Sequence, residues 1–235
     1  MIDIIIPTYK VPIYLTKCLE SIETSPDIRI TVVDDMSPNG EAIKQVTDRF
    51  GAQYFRLEYQ TDLYRRCPAI YHGIANTTQE IIGVIDEDMT LSVGYIDKVK
   101  ILLTTYRNLI VWGKCIFIDL NDDSVYSPRI HPDVRWSTVN NVRPQWSGLC
   151  CDGVFFIRRD FLSQIGNMLQ NPGYGEDGED LCKRVSRNGG IIGIFEDLEY
   201  YHIAHDGNKI PRQSEETTIR ISDYSYNRLE RIYEI

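Results

Sequence analysis

Three short runs of this 235-residue chain carry the side chains best suited to chemistry: Pro7-Thr8-Tyr9, Asp34-Asp35-Met36-Ser37 and Asp86-Glu87-Asp88. Each follows an apolar, β-branched stretch that reads as a buried strand, from Ile2 to Ile6, Ile28 to Val33 and Ile81 to Ile85. In an open parallel sheet, ligands bind beyond the carboxyl ends of the strands, so the three runs are expected on one edge. Carboxylates gathered there repel one another unless a cation or hydrogen-bond donors compensate. A hard divalent ion such as Mg²⁺ or Mn²⁺ suits oxygen ligands and leaves positions for phosphate oxygens. The plainer alternative has each acid capping a turn or a helix start. It suits Asp34 or Asp35 taken singly better than it suits the whole set.

The elements that must position these runs alternate along the first half. Leu15, Leu19 and Ile22 recur at helical spacing after the first strand, and Ala42, Ile43, Val46 and Phe50 after the second. Gln53 to Leu57 reads as a weaker third strand, and Pro68 to Asn76 as a helix. Such βαβ units give an α/β fold with a mostly parallel central sheet flanked by helices. The second half is less regular. Leu109 to Ile118 reads as a long strand, 120–147 as loop, Val154 to Ile157 as a strand and Arg159 to Ile165 as a short helix. A helix from Asp180 to Arg187 ends at Gly189-Gly190, and Ile191 to Phe195 is strand-like. One domain is expected, with a first half (1–90), a second half (91–210) and a C-terminal helix (211–235).

Composition narrows the class. Hydrophobic residues make up 43% and charged residues 25%, which is ordinary for a globular chain and excludes disordered, collagenous and coiled-coil classes. The net charge of −9 argues against broad binding to nucleic acid or to an anionic membrane. No run approaches a spanning helix, and Met1-Ile2-Asp3-Ile4 lacks the basic start and apolar core of a signal peptide. A cytoplasmic location, with at most peripheral membrane contact, is the expectation. The six cysteines (18, 67, 115, 150, 151, 182) form no CxxC pair and read as buried thiols rather than disulfides or a zinc site.

Taken in order, Ile4-Ile5-Ile6-Pro7-Thr8-Tyr9, Val32-Val33-Asp34-Asp35-Met36-Ser37 and Ile85-Asp86-Glu87-Asp88 resemble the inverting GT-A glycosyltransferases of family 2. Gly153-Val154-Phe155-Phe156-Ile157-Arg158-Arg159 resembles the family's acceptor-side strand, and Gly175-Glu176-Asp177 its Glu-Asp motif, so the likeness runs to about residue 205. The resemblance implies a single Rossmann-like nucleotide-diphospho-sugar domain. It places Pro7, Thr8, Tyr9, Asp34 and Asp35 around base and ribose, and Arg65 or Arg66 near the nucleotide. The arginines read otherwise as a solvated helix start. It implies that Asp88 binds a Mn²⁺ or Mg²⁺ ion bridging the diphosphate, that Asp86 lies near the ribose or a metal-bound water, and that Glu87, at the motif's variable position, points away. His202, leaving a β-rich stretch, is the implied further metal ligand, ahead of His205. UDP-sugar is the implied donor. Surface polysaccharide, lipid-linked sugar and protein are the usual hydroxyl acceptors, and modified DNA bases a conceivable one.

The resemblance places the catalytic base in Gly175-Glu176-Asp177-Gly178-Glu179-Asp180-Leu181. Asp177 is the expected base, with Glu176 contacting the acceptor or supporting it, and Glu179 and Asp180 as alternatives. A gapless fit on Glu176-Asp177 puts Lys183 where the family has Arg; a fit on Asp180-Leu181 needs one inserted residue. Some of these acids would simply complement a helix N-terminus. Trp146 could line a sugar pocket, whereas Trp112, Trp136, His72 and His131 read as structural. Two other functions compete. A nucleotidyltransferase is disfavoured because Pro7-Thr8-Tyr9-Lys10-Val11-Pro12 contains no glycine to cradle a triphosphate, and a dinucleotide dehydrogenase because no GxGxxG follows the first strand. A non-catalytic nucleotide- or carbohydrate-binding module of the same fold is the remaining alternative.

Overall fold

The computed structural model describes residues 1–58, 66–119, 125–126, 153–168 and 177–204. The alternation expected of the first half is what forms: β1 (Ile2–Thr8), α1 (Pro12–Ser21), β2 (Ile28–Asp34), α2 (Gly40–Arg49), β3 (Gln53–Arg56), α3 (Arg66–Ala75) and β4 (Ile81–Ile85). There follow β5 (Met89–Leu91), α4 (Tyr95–Thr105), β6 (Leu109–Asp119), β7 (Val125–Tyr126), β8 (Val154–Arg158), α5 (Arg159–Gln164), α6 (Asp177–Arg187) and β9 (Ile191–Ala204). The sequence reading assigned no element to β5, α4 or β7. It placed Ile191 to Phe195 as strand within a β-rich stretch reaching Tyr201, and began α6 three residues late.

One sheet runs in the order β3-β2-β1-β4-β8-β6-β9-β5, with β7 on β6. Strands β3, β2, β1 and β4 are parallel neighbours, and β6 and β9 run parallel to each other. β8 is antiparallel to both β4 and β6, and β5 is antiparallel to β9. β3, β2, β1, β4, β6 and β9 thus share one direction, as expected of a mostly parallel sheet. The antiparallel insertion of β8 was not legible, because an apolar run such as Val154 to Ile157 carries no sign of strand direction.

Both faces of the sheet are covered, which is why β1 and β4 are buried along their whole length. Ile2, Ile4 and Ile6 of β1 meet Leu15 and Leu19 of α1, Ile43 of α2 and Val99 of α4 in one core. Ile5 faces the other core, with Ile70 and Ile74 of α3, Phe161 of α5 and Leu181 of α6. Asp3, the polar interruption of β1, is only 1% exposed. It accepts from the backbone N–H groups of Thr78 (2.8 Å) and Gln79 (2.6 Å) and pairs with Arg159 at 3.3 Å, so the buried carboxylate is satisfied. Trp112 is core, as expected. Cys18, Cys67 and Cys182 are buried and Cys115 is half-buried, and none of the four is in a disulfide. Gly83 of β4 is required by close packing, since a Cβ there would lie 2.3 Å from the Phe156 ring of β8. Among the described residues no helix is long and apolar enough to cross a membrane.

Two pairings matter for the site. β1 pairs with β2 in register from Ile2↔Ile28 to Thr8↔Asp34, so both strands end at the same level. β9 pairs with β6 along its length, with a register shift at Gly113/Lys114, and then with β5 through Met89↔His202. That second pairing carries the far end of the chain back beside residues 86–88.

Candidate functional site

The loops after β1, β2 and β4 meet on one edge. The first two contain the non-glycine residues Lys10 (φ 75°) and Met36 (φ 60°) in the left-handed region, a strained conformation that recurs where loops hold ligands. Asp35 N–H donates to Thr8 O at 3.0 Å, and Lys10 N–H to Ser37 Oγ at 2.8 Å. Asn39 Nδ2 donates to Lys10 O at 3.0 Å. These bonds lock the two loops together. The Lys10 ammonium lies 4.3 Å from the centre of the Tyr9 ring, a cation–π contact at the rim.

Asp34 is completely buried, and its carboxylate serves the loop itself. Ser37 N–H donates to Oδ1 at 2.8 Å, closing a turn, and the Tyr54 hydroxyl donates to Oδ2 at 2.8 Å. The Arg56 guanidinium lies 3.5 Å from Oδ2 and donates to Ser37 O at 2.9 Å. Burial and the neighbouring Asp34 push the Tyr54 phenol up to about 12, so it stays a donor. The turn-capping reading holds for Asp34, and the half-exposed Arg56 carries positive charge to the mouth of the loop. Asp35 beside it is also buried. Sequence reasoning missed Tyr54 and Arg56, although they alternate on one face of β3 and Arg56 pairs directly with Asp34 in the parallel register.

The three acids after β4 take three directions. Asp86 accepts from Arg66 Nε at 2.7 Å. Arg66 is therefore an ion-paired, largely buried first residue of α3, not a solvated helix start. Asp88 Oδ2 stands 3.1 Å from His202 Nε2, and the backbone N–H of Ile203 donates to Asp88 O at 2.9 Å. Glu87 turns inward, away from the cleft. Its carboxyl accepts from the hydroxyl of Thr8, itself fully buried, and from the Tyr9 N–H at 2.9 Å. Burial raises the Glu87 carboxyl to about 8; the Thr8 and Tyr9 bonds oppose this, and the charges of Asp88 and Asp86 add to it. Tyr14 of α1 also lies within the field of this loop: burial raises its phenol first, then Asp88 and Glu87. Tyr14 was not singled out by sequence.

Among the described residues no three His, Cys, Asp or Glu side chains converge as a metal cage. The donor set nevertheless fits a divalent ion of the Mg²⁺/Mn²⁺ kind. Such ions bind one or two protein groups and fill their remaining positions with phosphate oxygens and water. Two adjacent ligands of an octahedral ion, each at about 2.1 Å, stand roughly 3 Å apart, close to the 3.1 Å between Asp88 Oδ2 and His202 Nε2. Asp86, held by Arg66, is not beside them as a third ligand.

α6 begins at Asp177, so the expected base stands in the first turn of a helix that also carries Leu181 and Val185 into the core. Asp180 is paired with Arg184 four residues on, with its Oδ2 at 2.8 Å from Nε and 2.7 Å from Nη2. Both residues are buried. The Asp180 carboxylate is thus held in an ion pair within the helix. The side chains of Asp177 and Glu179 lie outside the described residues, as do Arg65, Glu176, His205, His131, Trp136, Trp146, Cys150, Cys151, the 127–147 loop and the C-terminal helix. His72 packs edge-on against Phe55 at 5.1 Å, a structural placement.

Comparison with solved structures finds the same fold at low identity. GalNAc-T7 with UDP, GalNAc and Mn²⁺ superposes with a TM-score of 0.71 at 16% identity, covering 87% of this chain and 44% of that one. S. aureus TarS 1–349 in complex with UDP-GlcNAc gives 0.63 at 15% identity, covering 90% of this chain and 60% of that one. The chain thus spans roughly half the length of these relatives. No curated protein sequence matches. The model of glycosyl transferase family 2 matches residues 3–166, well over half of the chain and inclusive of all three strand-end loops. The chain belongs to glycosyltransferase family 2.

Proposed function

We propose that this chain is a metal-dependent, inverting glycosyltransferase that moves a sugar from a UDP-sugar to a hydroxyl acceptor, saccharide or lipid-linked. The observation that carries the reading is the pairing of Asp88 with His202 directly beside the loops after β1 and β2. The neighbours crystallised with UDP or UDP-GlcNAc support the choice of donor.

The Tyr9 ring and the loop closed by Asp34 and Ser37 form the wall against which base and ribose pack, with Asp35 as acceptor for a base N–H. Arg66 neutralises Asp86 and so lowers the repulsion that a diphosphate would meet at this edge. Asp88 and His202 are the residues that would hold a divalent ion, which would supply positive charge against the departing diphosphate. Asp177, with Glu176 beside it, takes the proton of the acceptor hydroxyl as that oxygen attacks the anomeric carbon from the face opposite the diphosphate. A single displacement inverts the anomeric centre.

A panel of UDP-, GDP- and dTDP-sugars with Mn²⁺ tests this by thermal melting. A donor at a hundred times its Kd stabilises the folded state by about 2.7 kcal/mol, or roughly 5–10 °C for a domain of this size. Transfer or slow hydrolysis of the same donor, lost on chelation, completes the test. A panel in which no nucleotide sugar moves the melting temperature overturns the reading.

A further inference from the structure

Glu87 has no part in the reaction outlined above, yet its side chain is buried and hydrogen-bonded at both oxygens. Its two hydrogen bonds come from another element, Thr8 and Tyr9 at the end of β1, 79 and 78 residues away in sequence. Its neighbours Asp86 and Asp88 bond instead to α3 and to β9. The loop is held from below as well: Asp86 N–H donates to Gly153 O at 2.7 Å, and Met89 N–H closes a turn onto Asp86 O at 3.0 Å. Only the Glu87 side chain, among these bonds, ties the loop to the end of β1.

We infer that Glu87 is a positioning residue, whose carboxyl fastens the nucleoside-side loop (Thr8-Tyr9) to the diphosphate-side loop (Asp86–Asp88) so that the two act as one rigid receptor. The inference rests on the proposed function, since it assigns those two ends of the ligand to those two loops. Its physical basis is preorganisation. A ligand that spans both loops binds tightly when their spacing is fixed beforehand, and loses affinity when it must order that spacing itself. A ligand that occupies one loop does not feel the link. Truncation of Glu87 is therefore expected to act on the bridging nucleotide far more than on its nucleoside.

Calorimetric titration of uridine, and of UDP with Mn²⁺, into wild type, Glu87→Ala and Glu87→Gln tests this. Glu87→Ala is expected to weaken UDP about tenfold and uridine less than threefold. Glu87→Gln keeps an acceptor for the Tyr9 N–H and a polar partner for Thr8, and is expected to hold UDP within about threefold of wild type. If Glu87→Ala does not fold, Thr8→Val removes one of the two bonds while keeping the shape, and is expected to show the same skew toward UDP. Equal losses for uridine and UDP, or a lowered melting temperature with both affinities intact, would show an ordinary packing role and overturn the inference alone. Wild-type protein that binds neither UDP, GDP nor dTDP would overturn the proposed function, and the link with it.

Discussion

Replacing Arg184 by Met removes the cation of the buried pair that anchors α6, the helix whose first turn bears Asp177. The guanidinium is 2% exposed on its side chain and the Asp180 carboxylate 7%. Besides Asp180, Arg184 donates to Ile165 O at 2.9 Å and Asn167 O at 2.5 Å, and so pins the turn after α5, where Asn167 sits at φ 66°. The substitution strands a buried carboxylate, whose Oδ1 already has no partner among the described residues, together with the buried Ile165 carbonyl and the part-buried Asn167 carbonyl. Breaking such a pair from one side costs about 3–5 kcal/mol, against roughly 1–3 kcal/mol for each neutral acceptor left unsatisfied. The charge therefore dominates, and a total loss of at least ~3 kcal/mol is expected, or about 6–12 °C in melting temperature at this chain length. Urea unfolding followed by far-ultraviolet circular dichroism measures it. Removing both charges in Asp180→Leu/Arg184→Met should recover about 2 kcal/mol of that loss, because no buried charge is then left alone. A loss under about 1 kcal/mol for Arg184→Met, or a double variant as unstable as the sum of the singles, would refute the reasoning.

Three further outcomes follow from the site. Asp177→Asn should abolish sugar transfer while leaving nucleotide affinity within about threefold, read by a transfer assay and by titration; an active variant would remove Asp177 as the base. His202→Ala should weaken Mn²⁺ binding in the presence of UDP about tenfold, because one of two protein ligands is lost while β9 keeps its backbone pairing; unchanged metal affinity would remove that ligand. In metal-free protein the folded state holds the Glu87 proton up to about 8, whereas the unfolded chain releases it near the ordinary carboxylate value of 4.5. Folded protein thus binds more protons between those values, and stability is present at low pH and lost as pH rises through about 8. Melting temperatures should fall across that window, and Glu87→Gln should flatten the slope.

Much of this arrangement was legible in the chain because the signals were local. The β-branched runs ending at Pro7-Thr8-Tyr9, Asp34-Asp35 and Asp86-Glu87-Asp88 mark both the strands and their exits. Parallel strands with covered faces then put those exits on one edge, as the pairing of Thr8 with Asp34 does. Reading the elements between residues 89 and 105 failed for a different reason. β5 has three residues and no periodicity, and exists through its pairing with β9. The strand Ile191–Ala204 is continuous because the full length of β6 lies beside it, through a register shift that its own residues do not signal.

What the sequence determined by itself was the fold class and the three acid- and hydroxyl-bearing loops at the strand ends. What only the tertiary structure decided was the partner of each charge. Asp34 turns into its own loop, Asp86 to Arg66, Glu87 to Thr8 and Tyr9, Asp88 to His202, and Asp180 to Arg184. Strand and helix patterns arise from neighbours within a few residues, so a sequence displays them. A carboxylate instead takes whichever polar partner the packed elements bring within about 3 Å, and for Glu87 and Asp88 those partners lie 78 to 114 residues away.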